Sequence, residues 1–144
     1  MKPIRVYLVN DNRLLRESVK RLFDATSDIG LVGTAATAAT AIEDLSSVSP
    51  HIVLLQCNRS EGGYSCALQR VKARFSRIKV LMLGMSDDEE DFFTAIRYGA
   101  TGYLLRDAST DDVLEAVRSL HRNEAVIPKS LSLALVELAA GVRA

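Results

Sequence analysis

Short apolar runs alternate with longer amphipathic segments along the chain. Five of these runs have the length of a buried β-strand and cover residues 4–9, 31–36, 51–56, 79–84 and 101–105. Nearly continuous runs such as IVLL and VLML are typical of strands that helices cover on both faces of a sheet. The pattern therefore predicts five parallel strands, each followed by a helix.

The segments between these runs repeat apolar residues at helical spacing. The first segment, RLLRESVKRLF, carries a stripe formed by Leu14, Leu15, Val19, Leu22 and Phe23. Comparable stripes lie within residues 64–75, 92–96 and 113–120, and the alanine-rich stretch 38–45 is interpreted as a further helix. This alternation predicts an α/β fold, a doubly wound (βα)5 unit with a five-stranded parallel sheet and right-handed crossovers.

Two helix starts carry a capping signal. Ser86 stands three residues before Glu89, and Ser109 stands three residues before Asp112. A serine at the N-cap with an acidic side chain three residues later satisfies two backbone N–H groups reciprocally. We therefore expect each serine to cap the helix that follows it.

The C-terminal stretch predicts an additional amphipathic helix, with Leu131, Leu135 and Leu138 on one face. We divide the chain into a domain at residues 1–128 and a segment at 129–144. That segment is either a terminal helix or a linker toward an output domain outside this chain. Its apolar face needs a cover, either the domain itself or a second copy, and we expect a homodimer.

Composition places the chain among ordinary globular domains. It has 144 residues, of which 48% are hydrophobic and 25% are charged. Basic and acidic residues number 18 each, so the formal net charge is zero and long-range attraction to nucleic acid or an anionic membrane is not expected. No run approaches the ~20 apolar residues of a membrane span, and the N-terminus lacks a signal-peptide cleavage region, which predicts a cytoplasmic protein.

The polar residues of most interest follow the predicted strands, because parallel α/β sheets bind ligands at the carboxyl ends of their strands. These ends provide Asn10, Asp11, Gln56, Gly84 and Arg106. No glycine-rich phosphate loop follows the first strand, and no Ser-His-Asp or Cys-His set lies at the strand ends. We therefore expect neither an enzyme nor a bound cofactor.

Four stretches resemble the receiver domain of response regulators: VYLVNDNRLLRESVKRLF, HIVLLQ, VLMLGMSDDEE and AIRYGATGYLLRDAS. The subgroup joined to LuxR-type helix-turn-helix outputs is the most similar, and the resemblance extends to about Pro128. It implies a role in two-component signal transduction and transcription regulation through protein contacts. It also implies that DNA is bound only through an output domain absent from this chain.

The family pattern assigns a role to each strand end. Two acidic residues after the first strand hold Mg²⁺, and an aspartate after the third accepts a phosphoryl group. A hydroxyl residue after the fourth strand and a lysine after the fifth contact that group. The resemblance places the acidic pair at Asn10 and Asp11, the phosphoacceptor at Gln56, the hydroxyl at Gly84 and the lysine at Arg106.

These replacements indicate an atypical receiver that lacks phosphorylation. An amide oxygen is a far weaker nucleophile than a carboxylate, and Mg²⁺ in such sites relies on carboxylates and phosphate oxygens. We therefore expect no bound metal. Two other interpretations stay open: Gln56 fits a strand-end residue that caps a loop amide, and Asp11 and Arg106 fit a salt bridge.

The remaining candidates have alternatives as well. Tyr103 matches the aromatic residue that reports activation in the family, and a static core position fits it equally. Cys57, next to Gln56, is interpreted as a structural thiol rather than a redox sensor, and Cys66 as a packing residue. The alternative function is a small-molecule sensor on the same flavodoxin-like fold, with its ligand in the emptied acidic pocket.

Two histidines complete the set of noted residues. His51 opens the third predicted strand, and His121 closes the last helix of the domain. Both are interpreted as structural.

Overall fold

The computed structural model of this protein describes residues 2–56 and 63–142. The strands are β1 Ile4–Val9, β2 Ile29–Ala35, β3 Ile52–Leu55, β4 Lys79–Met85 and β5 Gly102–Leu105. The helices are α1 Arg13–Asp24, α2 Ala38–Val48, α3 Gly63–Arg74, α4 Glu89–Arg97, α5 Thr110–His121 and α6 Lys129–Ala139.

All the strands lie in one sheet with the order β2-β1-β3-β4-β5. Each neighbouring pair is parallel. The predicted five-stranded, doubly wound α/β fold with an additional C-terminal helix is therefore confirmed. None of the helices that the structure describes is long and apolar enough to cross a membrane.

The sheet is buried on both faces because alternate side chains of a strand point to opposite sides. In β3, Val53 and Leu55 join the core that lies beneath α2, α3, α4 and α6. Ile52 and Leu54 join the core beneath α1 and α5. All four side chains are inaccessible to solvent, which explains why the run IVLL contains no polar residue.

One of the two predicted helix caps is confirmed, and the other is wrong. Ser109 Oγ accepts the N–H of Asp112 at 3.1 Å, while the Asp112 carboxylate accepts the N–H of Ser109 at 2.9 Å. The N-cap of α4 is Asp88, whose carboxylate accepts a first-turn N–H at 2.7 Å. Ser86 instead donates its hydroxyl to Asp91 at 2.9 Å, because α4 begins later than the motif suggested.

Two residues expected to pack lie outside the core. Leu14, in the predicted stripe of α1, is 73% exposed, whereas the neighbouring Leu15 is half-buried. Cys66 on α3 is exposed beside the buried Ala67. Consecutive helical residues differ by about 100° in direction, so each of these side chains falls just beyond the buried face. The other cysteine, Cys57, lies outside the described residues.

The C-terminal helix α6 lies on its own domain. Leu131 and Ala134 are buried, with 3% and 5% of their surfaces exposed. Leu135 and Leu138 are half-buried against the same core, and α6 contacts α4. The stripe predicted at Leu131, Leu135 and Leu138 is therefore covered within the chain, and a second copy would have to bind elsewhere.

Candidate functional site

The parallel register brings the strand-end residues to one edge of the sheet. Val9 of β1 pairs with Leu55 of β3, so the next residues, Asn10 and Gln56, leave their strands at the same level. The register between β3 and β4 brings Gly84 to the same edge. The sheet order reverses between β1 and β3, and α/β proteins bind their ligands at such a point.

Asn10 forms the turn between β1 and α1. It is buried, with 3% of its surface exposed, and its Oδ1 accepts the N–H of Asn12 at 2.7 Å. Its backbone N–H donates to the carbonyl of Ala35 at 3.0 Å, and its own carbonyl accepts Arg16 Nη1 at 2.8 Å. The amide at this position is therefore a structural part of the turn, and both of its acceptor groups are engaged.

Arg16 is the site residue that sequence analysis missed. Its half-buried guanidinium folds back from α1 onto the end of β1 and places a permanent positive charge one residue from the exposed Asp11. Arg16 lies within the recognised stretch RLLRESVKRLF. The sequence of that stretch does not reveal the contact between Arg16 and the carbonyl of Asn10. The contact depends on the direction in which α1 leaves the end of β1, and that direction is set by the tertiary structure.

The side chain of Gln56 lies directly over Gly84. A Cβ atom at residue 84 would stand 2.5 Å from Gln56 Nε2 and 3.1 Å from Gln56 Cδ. Gly84 has a φ angle of +65°, a conformation that side-chain-bearing residues rarely adopt. The pairing of β4 with β5 is irregular between Met82 and Met85, so Gly84 lies in a local bulge. The backbone here is shaped for glycine, and the amide fills the adjoining volume.

Arg106 follows β5 and is exposed at the same edge. Its backbone N–H donates to the carbonyl of Met85 at 3.2 Å. The ion pairs formed by the described residues do not include the expected pair with Asp11. Arg106 instead borders a pocket between α1 and α5.

This pocket, the α1–α5 pocket, has a volume of about 290 Å³. Gln56, Gly84 and Arg106 contribute to one end of it. Most of its remaining wall is aliphatic and comes from Leu15, Val19, Leu22, Leu83, Leu104, Leu105 and Val113. The arrangement combines an apolar cavity with an amide and a guanidinium, a composition typical of small-molecule sites.

Tyr103 of β5 occupies an inward position. Its side chain is inaccessible to solvent, and its hydroxyl donates to the carbonyl of Ser86 at 2.9 Å. Its ring meets that of Phe92 edge-on, with 5.1 Å between centroids. Of the two possibilities for Tyr103, a static core residue and an aromatic switch, the structure shows a core position. A switching role for Tyr103 stays a prediction.

Sequence comparison identifies the family of this fold and site. The profile of the response regulator receiver domain matches residues 6–118. The chain belongs to the response regulator receiver family. The match includes every strand-end position described above and ends within α5, so α6 lies beyond it.

The receiver is also similar to full-length regulators. It is 32% identical over 143 residues to the nitrate/nitrite response regulator NarL of Escherichia coli K12, covering 99% of this chain and 65% of NarL. It is 29% identical over 117 residues to the transcriptional regulatory protein MctR of Rhizobium johnstonii, covering 81% of this chain and 55% of MctR. The receiver thus spans less than two thirds of either relative.

A solved structure agrees with this assignment. The receiver superposes on a LuxR-family two-component response regulator from Aurantimonas sp. SI85-9A1 with a TM-score of 0.84 at 19% identity. The aligned region covers 96% of this chain and 99% of that chain. The family match and the fold together confirm the predicted receiver domain, and its homologues include response regulators of the NarL/LuxR type.

The described donors do not fit the Mg²⁺ that the receiver family implies. Mg²⁺ requires near-octahedral oxygen ligands and is bound through one or two carboxylates together with phosphate oxygens. Asn10 is neutral and hydrogen-bonded at both oxygens, and Gln56 offers only an amide. Asp11 is the remaining carboxylate of the acidic pair, and the described residues contain no cluster of three metal-binding side chains.

Proposed function

We propose that this receiver acts in signal transduction and transcription regulation without accepting a phosphoryl group. The observation that carries the proposal is the contact between the Gln56 amide and Gly84. Aspartyl phosphate chemistry needs a carboxylate nucleophile at the first position and, in the family pattern, a hydroxyl at the second. Here an amide stands at one position, and the other adopts a conformation suited to glycine.

The surroundings of this contact support the same conclusion. The guanidinium of Arg16 is bound to the carbonyl of Asn10, and the amide of Asn10 is used in its own turn. The edge therefore carries two arginines, Arg16 and Arg106, where the family pattern has metal-binding groups and one lysine. The site is regulatory rather than enzymatic in this proposal and works in the cytoplasm, with DNA reached only through an output domain.

Acetyl phosphate should not modify the protein. Incubation with acetyl phosphate and Mg²⁺ is expected to leave the intact mass unchanged, because the amide of Gln56 forms no stable acyl phosphate. As a matched control, Gln56→Asp should bind Mg²⁺ more tightly than the wild type in an NMR titration, since it restores a second anion. An acid-labile gain of one phosphoryl group by the wild type would refute the proposal.

We further propose that the receiver forms a homodimer without phosphorylation. The inner face of α6 is occupied by its own domain, but Leu133 and Val136 on its outer face are 67% and 63% exposed. These side chains are three residues apart and therefore adjacent on the helix surface. A second copy of the chain that packs on this face would cover both, and a stable interface buries roughly 1,600 Å² in total.

Sedimentation velocity at micromolar concentration tests the dimer. The wild type is expected to sediment as a dimer, and Leu133→Asp is expected to shift it to a monomer because a charge is then placed at the centre of the interface. Ser130→Asp adds the same charge at another exposed position of α6 and should leave the dimer intact. A monomeric wild type would contradict self-association.

The second candidate function is small-molecule sensing, which the α1–α5 pocket favours. Its aliphatic wall and the adjoining Arg106 suit a compact apolar ligand that carries an anionic group. Thermal denaturation with apolar carboxylates tests this function, since a ligand specific to the native state raises Tm. Ser18→Phe, at the pocket wall, should abolish any such rise, and a rise that persists in this variant would place the ligand elsewhere.

A further inference from the structure

The amino edge of the sheet, opposite the candidate site, carries a second polar constellation. His51 at the start of β3, Arg77 and Lys79 around the start of β4, and His121 at the end of α5 line one groove. We call these four residues the basic pole. The groove has a volume of about 410 Å³, and none of the described residues that line it is acidic; the other lining residues are Pro50, Ile78 and Asn123.

Hydrogen bonds hold two members of the basic pole in place. His51 Nδ1 accepts the backbone N–H of Arg5 at 3.0 Å, so the neutral ring carries its proton on Nε2. Lys79 Nζ donates to the carbonyl of Leu120 at 2.6 Å and also to Oδ1 of Asn123. Lys79 is therefore fixed at the groove with one N–H to spare, and His51 retains a donor at Nε2.

The other two members add donors to the same groove. The ring of His121 lies 4.9 Å from that of His51, measured between centroids. The guanidinium of Arg77 is exposed and forms none of the ion pairs found among the described residues. Four side chains that donate hydrogen bonds thus surround one groove, and two of them are permanently positive at neutral pH.

The described residues that line this groove and the adjoining pocket include one acidic side chain, Glu124. Arg5 on β1 adds a further cation, bound to the carbonyl of Ser49 through Nη2 at 2.7 Å. The acidic residue Glu124 lines an adjoining pocket with Lys79, but it is paired with Arg122 at 3.1 Å. Burial, followed by the charges of Arg5, His121 and Lys79, lowers the pKa of His51 below its usual value.

We propose that the basic pole binds a small, freely diffusing oxyanion of the phosphate class that carries at least two negative charges. Arg77 and Lys79 supply two fixed positive charges, and the histidines supply hydrogen-bond donors that become charged on protonation. The same positive charges disfavour a metal cation, although two imidazoles lie together. The groove is large enough for more than one phosphate group, so pyrophosphate is a suitable probe.

Binding of such an anion does not require His51 to be protonated. His51 Nδ1 already accepts the N–H of Arg5, and protonation of Nδ1 would break that bond. The neutral ring keeps Nε2–H as a donor, while Arg77 and Lys79 supply the positive charge.

Isothermal titration calorimetry with pyrophosphate tests the proposal. The full chain is expected to bind one equivalent, with Arg77→Ala weakening the affinity about tenfold through loss of a charge-assisted contact. Arg70→Ala is the matched control, because it removes the same charge from an exposed position of α3 outside the groove. Histidine NMR spectra should show both His51 and His121 responding to pyrophosphate at the same concentration.

Three results would overturn the proposal. The first is the absence of binding at millimolar pyrophosphate at neutral pH. The second is equal weakening by Arg77→Ala and Arg70→Ala, which would indicate non-specific attraction to the surface. The third is co-sedimentation with anionic phospholipid vesicles without any response to free pyrophosphate, which would point to a membrane surface instead of a small anion.

Discussion

Gly84→Thr is expected to destabilise the receiver by about 2–4 kcal/mol, although it restores the residue type that the family pattern has at this position. Two costs combine in this value. A β-branched residue at a φ of +65° is strained, and its Cβ would stand 2.5 Å from the amide nitrogen of Gln56. The amide is the far end of a flexible side chain and can move, so the backbone strain contributes most of the loss.

A double-mutant cycle separates the two costs. Gly84→Ala is introduced into the wild type and into Gln56→Ala, and the free energy of unfolding is measured in urea. The strain at Gly84 persists in both backgrounds, whereas the contact with the amide exists only in the wild type. Gly84→Ala should therefore cost less in the Gln56→Ala background, and a cost of under about 0.5 kcal/mol in both would disprove the strain.

This expectation bears on how phosphorylation could be introduced into the receiver. Gln56→Asp alone restores a carboxylate but leaves Gly84 in a bulge between β4 and β5. Gly84→Thr alone meets a backbone that disfavours it. We therefore expect neither single substitution to produce a receiver that acetyl phosphate modifies efficiently.

Leu131→Asp is expected to be the most disruptive substitution in α6, with a loss of about 3–5 kcal/mol or release of the helix from the domain. Leu131 is 3% exposed and joins the core that includes Phe92 and Tyr103. A carboxylate at this depth has no basic partner among the core residues. Ser130→Asp, which adds the same charge at an exposed position of the same helix, is the matched control and should change stability by at most about 0.5 kcal/mol.

Two measurements distinguish release of α6 from unfolding of the domain. Urea denaturation reports the global free energy of unfolding, and limited proteolysis reports whether the chain after Pro128 has become accessible. If α6 is released alone, the loss in stability is limited to its docking free energy while cleavage is rapid. Equal behaviour of Leu131→Asp and Ser130→Asp in both measurements would show that the inner face of α6 is not packed on the domain.

The secondary structure and the parallel sheet were predictable because they follow from the local periodicity of apolar residues. The apolar runs IRVYLV and IVLL coincide with β1 and β3 to within one residue, since a strand buried on both faces is almost continuously apolar. The parallel direction of the strands follows from strand–helix alternation, and it predicts that Asn10 and Gln56 lie at the same edge of the sheet. The pairing of β1 with β3, which makes them neighbours, is shown by the structure. The sequence alone was therefore sufficient for the fold class and for the edge at which the site lies.

Contacts between distant segments were decided only by the tertiary structure. The position of the Gln56 amide over Gly84 depends on a bulge in β4, and the approach of Arg16 to Asn10 depends on how α1 leaves the sheet. From the sequence, the apolar stripe on α6 could be covered either by its own domain or by a second copy of the chain. In the structure α6 packs on its own domain and contacts α4. Periodicity states which face of an element is apolar, but the partner of that face is determined by the relative placement of whole elements.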